Sequence, residues 1–252
     1  MTVATFQPIG DTYIDKFDAN ANFGTQPFHV GKLGLGGSKS SLTRGLMAFD
    51  LAALAGLYAS LDSAELFFHW GVTEPIQTAA KIVRCRRAFT ELGATWNKWN
   101  GTDAWTTAGA VDTTNDIDIV TPPIVAFNVP NPPADQTITG MLGFVQDAVD
   151  LRSGFVRIRV AMDNIDDDGL KNGGDASSRE APSQQFRPLL TITYTPLIAP
   201  QPPDLGRRSD RARILGRGSR PARPARAAGA AQPARPTRPG GPRLAARTGL
   251  LV

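Results

Sequence analysis

One acidic loop in the sequence carries side-chain oxygens that suit a cation. Residues 163–169 read Asp-Asn-Ile-Asp-Asp-Asp-Gly, and Asp175 follows eleven residues after Asn164. This spacing partly matches a calcium loop, because hard cations prefer clustered carboxylate and amide oxygens. It departs from that pattern because Asn begins the loop and Asp, not Glu, closes it. Two interpretations stay open: a solvated acidic turn, or a calcium site formed by Asn164, Asp166, Asp168 and Asp175.

A second candidate surface lies in a stretch rich in tryptophan. Trp96, Trp99 and Trp105 fall within ten residues, among short polar side chains. Such a mixture suits sugar recognition, because the CH groups of a sugar stack on aromatic faces while its hydroxyls find hydrogen-bond partners. We predict that Trp96 is a structural residue. The other side chains either close one end of the fold or form an exposed glycan-contact surface made of Trp99, Asn100, Asp103 and Trp105.

Few residues indicate catalysis. His29 and His69 are the only histidines, and neither lies in a pattern typical of a nucleophile and its base. The single cysteine, Cys85, excludes an internal disulfide and disfavours a cysteine-based metal site. Paired carboxylates for glycoside hydrolysis stay open, because the spatial pairing of acidic residues cannot be read from a sequence. We expect that the protein is not an enzyme.

The C-terminal arm, residues 197–252, differs in composition from the rest of the chain. Residues 1–204 carry 15 basic and 22 acidic residues, a formal charge of −7, whereas residues 205–252 carry a charge of +11 and no aromatic residue. Ordering costs about 1–2 kcal/mol per residue, which so few apolar side chains cannot offset. We expect an extended arm that is disordered unless bound. Its twelve arginines are Arg207, Arg208, Arg211, Arg213, Arg217, Arg220, Arg223, Arg226, Arg235, Arg238, Arg243 and Arg247.

Three roles for the arm stay open. Its arginines suit salt-dependent, non-specific binding of nucleic acid through the phosphates. They equally suit a strap that docks on a neighbouring subunit, and an extended arm of this length reaches about 150 Å. The third interpretation is a low-complexity tail without a role.

Strand patterns dominate residues 1–196 and must position these side chains. Apolar residues alternate with others over 155–162, which is the period of a half-buried strand. The same alternation predicts strands over 65–70 and 190–194, and the segments 46–51 and 81–86 are further predicted strands. Spacings of three and four residues predict one short helix over 137–151, capped by Thr137 or Thr139, and a helical turn over 51–57. The predicted class is all-β and antiparallel, with one or two short helices.

Eight short blocks follow one another in a recognisable order. They are Asp11-Thr-Tyr-Ile14, Ala21-Asn-Phe-Gly-Thr25, His29-Val-Gly31, Arg44-Gly-Leu-Met-Ala-Phe-Asp-Leu51, Ser63-Ala-Glu-Leu66, Phe89-Thr-Glu-Leu-Gly-Ala-Thr-Trp-Asn97, Ser178-Arg-Glu180 and Pro188-Leu-Leu-Thr-Ile-Thr-Tyr194. Over about residues 8–195 the chain resembles the DNRLRE-type β-sandwich domain, a jelly-roll relative of carbohydrate-binding modules. The resemblance implies a noncatalytic jelly-roll sandwich in residues 1–196, used for glycan binding or as a structural unit of larger surface proteins. It does not extend to the arm.

For two residues in these blocks, the sequence predicts a specific role in the local backbone structure. Gly24 is predicted to allow a tight turn with a positive φ angle. Asp50, after Phe49, is predicted to end a strand and to accept a backbone N–H of the following turn.

The first functional expectation is a noncatalytic structural protein of a bacteriophage virion, a capsid-decoration or tail-attachment protein. The arm would hold it to other virion proteins or to copies of itself. The N-terminal residues lack the basic and apolar regions of a secretory signal, and no run of about 18 apolar residues predicts a membrane span. One alternative is a secreted or cell-surface carbohydrate-binding module whose leader has been removed. The other is a nucleic-acid-associated protein that binds through the arm.

Overall fold

Antiparallel strands make up most of the computed structural model, which describes residues 1–34, 40–74, 79–162 and 172–197. The predicted β-rich, antiparallel class is confirmed for these residues. The helical elements among them are α1 (Leu142–Leu151) and two 3-10 turns, Ala52–Leu54 and Gln184–Phe186. The strands are β1 (Thr2–Phe6), β2 (Gly10–Asp15), β3 (Phe28–Gly34), β4 (Ser40–Asp50), β5 (Tyr58–Thr73), β6 (Ala79–Cys85), β7 (Ile117–Asp118), β8 (Val125–Asn128), β9 (Asp135–Ile138), β10 (Phe155–Met162), β11 (Asn172–Ala176) and β12 (Leu189–Pro196).

The five strands predicted from the sequence are confirmed. β10 begins and ends at the predicted residues, and Val156, Ile158 and Val160 are at most 2 % exposed. The predicted segments 65–70 and 190–194 lie within β5 and β12, and the segments 46–51 and 81–86 extend one residue beyond the ends of β4 and β6. Alternation identifies β10, β12 and the middle of β5, because each buries every second side chain there. The predicted helical turn after β4 is also present, and Asp50 Oδ1 accepts the N–H of Ala52 at 2.9 Å, as expected.

β5 joins two groups of strands. The neighbour order is β1-β12-β5-β11-β3-β4-β10-β6-β7, with β9 also beside β5, β2 beside β4 and β8 beside β6. The first part of β5 pairs with β12, from Tyr58 to Phe67, and its last part pairs with β11, from Trp70 to Thr73. This long strand therefore belongs to both groups, and the pairing of β1 with β12 completes the first of them.

The main hydrophobic core draws on both groups of strands. Phe68 of β5 and Ile192 of β12 share one buried cluster with Phe49 of β4 and Ile158 of β10. Helix α1 adds Phe144 and its neighbours on the same face to this cluster. Burial of such side chains is the main favourable term in folding, at about 25 cal/mol per Å² of apolar surface.

A second hydrophobic cluster covers the opposite face of β4. Leu46 and Ala48 point away from the main core and pack with Trp96 and Trp105, which belong to the long connection between β6 and β7. β4 is therefore buried on both faces at residues 46–49, which explains the uninterrupted apolar run Leu-Met-Ala-Phe at that end of the strand.

The helix prediction was wrong at its N-terminus. Residues 135–138 form β9, in which Ile138 pairs with Leu66 of β5, and α1 begins at Leu142 after Met141. Ile138 fits the helical spacing, but it is buried in a strand, and Gly140 with a φ angle of 87° turns the chain between the two elements. The predicted Thr137 and Thr139 caps are thus absent, and no side chain caps this helix.

All described residues belong to one compact unit. The predicted boundary between residues 196 and 197 stays a prediction, because residues 198–252 lie outside the described part of the chain. Within that part, no helix combines the length and the apolar character needed to cross a membrane.

Candidate functional site

Three carboxylates from distant parts of the sequence meet at the start of β2. Asp11, Glu91 and Glu180 each offer one oxygen, and these oxygens lie within 4.8 Å of one another. Asp11 is buried, Glu91 is half-buried and Glu180 is exposed. We call this group the carboxylate cluster; it reaches from the interior of the fold to its surface.

Hydrogen bonds between side chains and the backbone hold the carboxylate cluster together. Asp11 lies in β2, opposite Met47 of β4, and its N–H donates to Glu91 Oε1 at 3.0 Å. The side-chain amide of Asn22 donates to the carbonyl oxygens of Glu91, at 2.7 Å, and of Ala94, at 2.8 Å. These bonds fix the loop that carries Glu91 against the segment after β2.

The reason predicted for Gly24, a positive φ angle, was wrong. Gly24 is not among the residues with a positive φ angle. Glycine is needed here because a Cβ atom at this position would lie 2.6 Å from the carbonyl oxygen of Glu91. The requirement is close approach of two backbone segments, and the same contact sets the position of Glu91.

Arg179 lies against all three carboxylates. Its Nε atom is 2.7 Å from Oε1 of Glu91 and 2.7 Å from Oε1 of Glu180. Its backbone N–H donates to Oδ2 of Asp11 at 3.0 Å, and its Nη1 donates to the carbonyl oxygen of Ile9 at 2.8 Å. With one cation against three anions, the cluster carries a surplus of two negative charges when every carboxylate is ionised.

Asp11 is the unusual member of the cluster. Its side chain is 1 % exposed, and Oδ1 has no hydrogen-bond partner among the described residues. Burial, assisted by the charges of Glu180 and Glu91, raises the pKa of Asp11 to about 7, although the N–H of Arg179 opposes the shift. A group so deeply buried suits the retention of a proton or a cation within the fold.

An open cavity of about 420 Å³ adjoins the carboxylate cluster. Glu180 lines it together with Asp175, whose Oδ1 pairs with Nδ1 of His29 on the adjacent strand β3. Tyr13 makes an edge-on contact with the ring of His29, at 4.5 Å between centroids. The remaining lining mixes small apolar side chains with hydroxyls, namely Thr25, Pro27, Gly71, Val72, Ala176, Ser177, Ser178, Ala181 and Pro182.

The predicted calcium loop is only partly within the described residues. Asp175 lies in β11, where it pairs with His29. Asn164, Asp166 and Asp168 lie outside the described residues. The choice between a calcium site and a solvated acidic turn therefore stays a prediction.

The tryptophan-rich stretch is largely a structural cover. Trp96 is buried, as predicted, with the guanidinium carbon of Arg44 at 4.6 Å from its ring centroid. Of the two interpretations left open for Trp105, the structure supports closure of the fold over an exposed glycan contact, because Trp105 is 4 % exposed in the second cluster and its Nε1 donates to the carbonyl oxygen of Thr95 at 2.9 Å. Its ring packs on β4 and offers no face to a sugar.

Trp99, Asn100 and Asp103 remain near the surface. Trp99 is half-buried, with the guanidinium carbon of Arg87 at 5.9 Å from its ring centroid. Asn100 Nδ2 donates to Oδ2 of Asp103 at 2.8 Å, so both side chains shape their own turn. A glycan contact at Trp99, Asn100 and Asp103 stays a prediction.

Sequence reasoning did not identify the carboxylate cluster or the role of Arg179. Each member lies in a different block of the domain resemblance: Asp11 in the first, Glu91 in the sixth, and Arg179 with Glu180 in the seventh. The presence of an acid in each of these blocks was the available signal. The twelve arginines of the arm, Arg207 to Arg247, lie outside the described residues, and their docking role stays a prediction. No protein-family model and no curated protein matches this chain.

Proposed function

We propose that the protein is a noncatalytic structural protein of a bacteriophage virion, a capsid-decoration or tail-attachment protein held in place by its C-terminal arm. The observation that carries this proposal is that the paired strands and the arginine-rich segment occupy separate parts of the chain. The pairing of β1 with β12 completes the strand order by Pro196, whereas the twelve arginines come later, in a segment of charge +11. The described strands pair with one another up to Pro196, and the charge of the arm suits attachment to an acidic partner.

The proposal includes a jelly-roll sandwich of the DNRLRE type for residues 1–196. Its support is that β5 belongs to two strand groups whose apolar faces share one core. Further support comes from the contacts among Asp11, Asn22, Glu91 and Arg179, since these join four of the eight sequence blocks. Motifs that meet in space are typical of a domain built around a common structural unit.

A noncatalytic role is supported by how the titratable groups are used. His29 pairs with Asp175, and His69 pairs with Asp135 at 2.6 Å while stacking on Phe186. Each pair joins neighbouring strands of the sheet. The carboxyl with the most perturbed pKa, Asp11, is buried. These groups hold the fold together.

The experiment that tests this proposal compares the full chain with a chain lacking residues 205–252. Both are produced during particle assembly, and particles are then purified on a density gradient. We expect the shortened chain to fold and stay soluble, with unchanged far-UV circular dichroism, and to be missing from the particles. Normal incorporation of the shortened chain would contradict the proposal.

A matched variant separates a protein strap from nucleic-acid binding. Replacement of all twelve arm arginines by lysine keeps the charge and removes the planar, bidentate donors. A strap that docks on a protein surface should lose much of its incorporation in this variant. Retention in the variant, together with release from particles by nuclease, would favour phosphate binding instead.

Glycan binding is the second candidate function, and the cavity beside Glu180 favours it. This cavity combines hydroxyls and carboxylates with exposed apolar surface at Val72, which is 54 % exposed. Half-buried Trp99 provides a separate contact point. The test is binding of the full chain to a broad glycan array, with Trp99→Ala and Ser177→Ala as variants. Binding that neither variant weakens would place the ligand elsewhere, and no binding at all would count against this function.

A further inference from the structure

We propose that Asp11, Glu91 and Glu180 form a calcium site at the start of β2. This site is separate from the acidic loop at residues 163–169 and independent of the virion proposal. It assigns a ligand to the carboxylate cluster and gives the fold a cation that joins its N-terminal and C-terminal segments.

The first support is an oxygen that lacks a partner. Oδ1 of Asp11 is buried and accepts no hydrogen bond from the described residues, whereas Oδ2 accepts the N–H of Arg179. An unpaired buried carboxylate oxygen is strongly unfavourable, because it has lost its water without gaining another partner. A cation beside Oδ1 would remove this cost.

The second support is the charge balance. Arg179 is the cation in contact with the cluster, and its described contacts use one oxygen of each carboxylate: Oδ2 of Asp11 and Oε1 of each glutamate. Among the oxygens not used by Arg179, Oδ1 of Asp11 is buried without a hydrogen-bond partner among the described residues. A divalent ion would neutralise the surplus of two negative charges that the arginine leaves. Like charges this close together repel strongly when no counter-ion lies between them.

The geometry favours calcium over magnesium. Calcium takes six to eight oxygens at about 2.3–2.6 Å, so ligands on opposite sides of the ion lie up to about 5 Å apart. The three carboxylate oxygens lie within 4.8 Å of one another, which fits this shell. Magnesium demands a tighter octahedron at about 2.0–2.1 Å. Glu180 is exposed, so water can complete the coordination shell and the ion has a path of entry.

A bound ion would link three separate segments. Asp11 belongs to β2, Glu91 to the connection that covers β4, and Glu180 to the segment between β11 and β12. Binding of a ligand to the folded state alone stabilises that state in proportion to the logarithm of its concentration. Calcium should therefore raise the melting temperature of the chain.

The test uses the full chain after removal of metals with EDTA. Thermal unfolding is followed by circular dichroism in EDTA and in 10 mM CaCl₂, and calcium binding is measured by titration calorimetry. Four variants accompany it: Asp11→Asn, Glu180→Gln, the control Asp150→Asn at an exposed site on α1, and the double variant Asp166→Asn with Asp168→Asn.

The proposal predicts a pattern across these variants. Calcium should raise the melting temperature by about 5–10 °C in the wild type, in Asp150→Asn and in the loop double variant. The rise and the calorimetric signal should be lost in Asp11→Asn and Glu180→Gln. In EDTA, Asp11→Asn should be at least as stable as the wild type, because it removes a buried charge that burial disfavours. If Asp11→Asn fails to fold, the calcium-dependent rise in melting temperature and the calorimetric signal of Glu180→Gln, at an exposed residue, test the proposal.

Three results would overturn the proposal. The first is no effect of calcium on the wild type, which would leave Arg179 as the sole counter-ion of the cluster. The second is a calcium effect that both cluster variants retain. The third is an effect lost only in the double variant, because calcium would then bind the acidic loop.

Discussion

Gly24 and Glu91 lie so close together that a Cβ atom on Gly24 would stand 2.6 Å from the carbonyl oxygen of Glu91. That oxygen belongs to the backbone and also accepts the amide of Asn22, so it cannot move away freely. We predict that Gly24→Ala lowers the free energy of unfolding by about 2–3 kcal/mol, as overpacking of a tight contact does. Urea unfolding followed by tryptophan fluorescence measures this change.

Gly71→Ala is the matched control for Gly24→Ala. A Cβ atom at Gly71 meets nothing within 4 Å, and the residue is exposed in β5. We expect its free energy of unfolding to change by no more than about 0.5 kcal/mol. Equal losses in the two variants would mean that the contact with Glu91 is not the constraint on Gly24.

Trp99 and Trp105 should differ in their contribution to the free energy of unfolding. Trp105 is 4 % exposed and hydrogen-bonded to Thr95, whereas Trp99 is half-buried. Trp105→Ala should cost about 3–5 kcal/mol, the range for a large buried aromatic side chain. Trp99→Ala should cost clearly less. Urea unfolding of both variants checks this, and a Trp99 variant as unstable as the Trp105 variant would assign Trp99 to the core.

Cys85 should react slowly in the native protein. It is 3 % exposed, and burial raises the pKa of its thiol to about 11. The thiolate is the reactive form, so both its low fraction and its burial slow the reaction. With a disulfide reagent at pH 8, we expect the native chain to react at least about 100-fold more slowly than the chain in urea. Equal rates would contradict the burial of this thiol.

The Asp118 carboxylate should make stability depend on acid pH. Burial opposes its ionisation, but the N–H groups of Val120 and Thr121 and the guanidinium of Arg84 outweigh burial and lower the pKa of Asp118 to about 2. Arg86 adds a contact at 2.8 Å. A pKa below the ordinary 3.8 means that the ionised form stabilises the folded state. This stabilisation is fully present above about pH 4 and disappears as the pH falls through about 2.

Asp118→Asn tests that linkage. At pH 7 the variant should unfold with a free energy about 2 kcal/mol below that of the wild type, the value of a shift of nearly two pKa units. This difference in the free energy of unfolding between the wild type and the variant should become smaller between pH 4 and pH 2. Asp150→Asn serves as the exposed control, with no gap at either pH. A gap of constant size across this range would show that ionisation of Asp118 is not its origin.

Strands were predictable from this sequence because their signal is local. In β10 and β12 every second residue enters the core, so the alternation is visible in a window of eight residues. The start of α1 was not predictable from spacing, because Ile138 fits the helical spacing of three and four residues and also the two-residue spacing of a strand. Its pairing with Leu66, far along the chain, decided in favour of a strand.

The carboxylate cluster could not be derived from local patterns. Asp11 and Glu91 are 80 residues apart, and long-range contacts bring them together, among them the direct bond from the Asp11 N–H and the hydrogen bonds of Asn22. The choice between a buried and an exposed Trp105 stayed open in the sequence for the same reason. A tryptophan among polar residues resembles a surface platform until the strand beneath it is known.

The most direct test of the account is the composition of purified particles. Particles are banded on a density gradient, washed in high salt and treated with nuclease, and their proteins are quantified by mass spectrometry against the major capsid protein. The account predicts that this chain is present at a fixed ratio to the capsid protein, and that a chain without residues 205–252 is absent. Recovery of the full chain in the soluble fraction alone, with none in the particles, would contradict it.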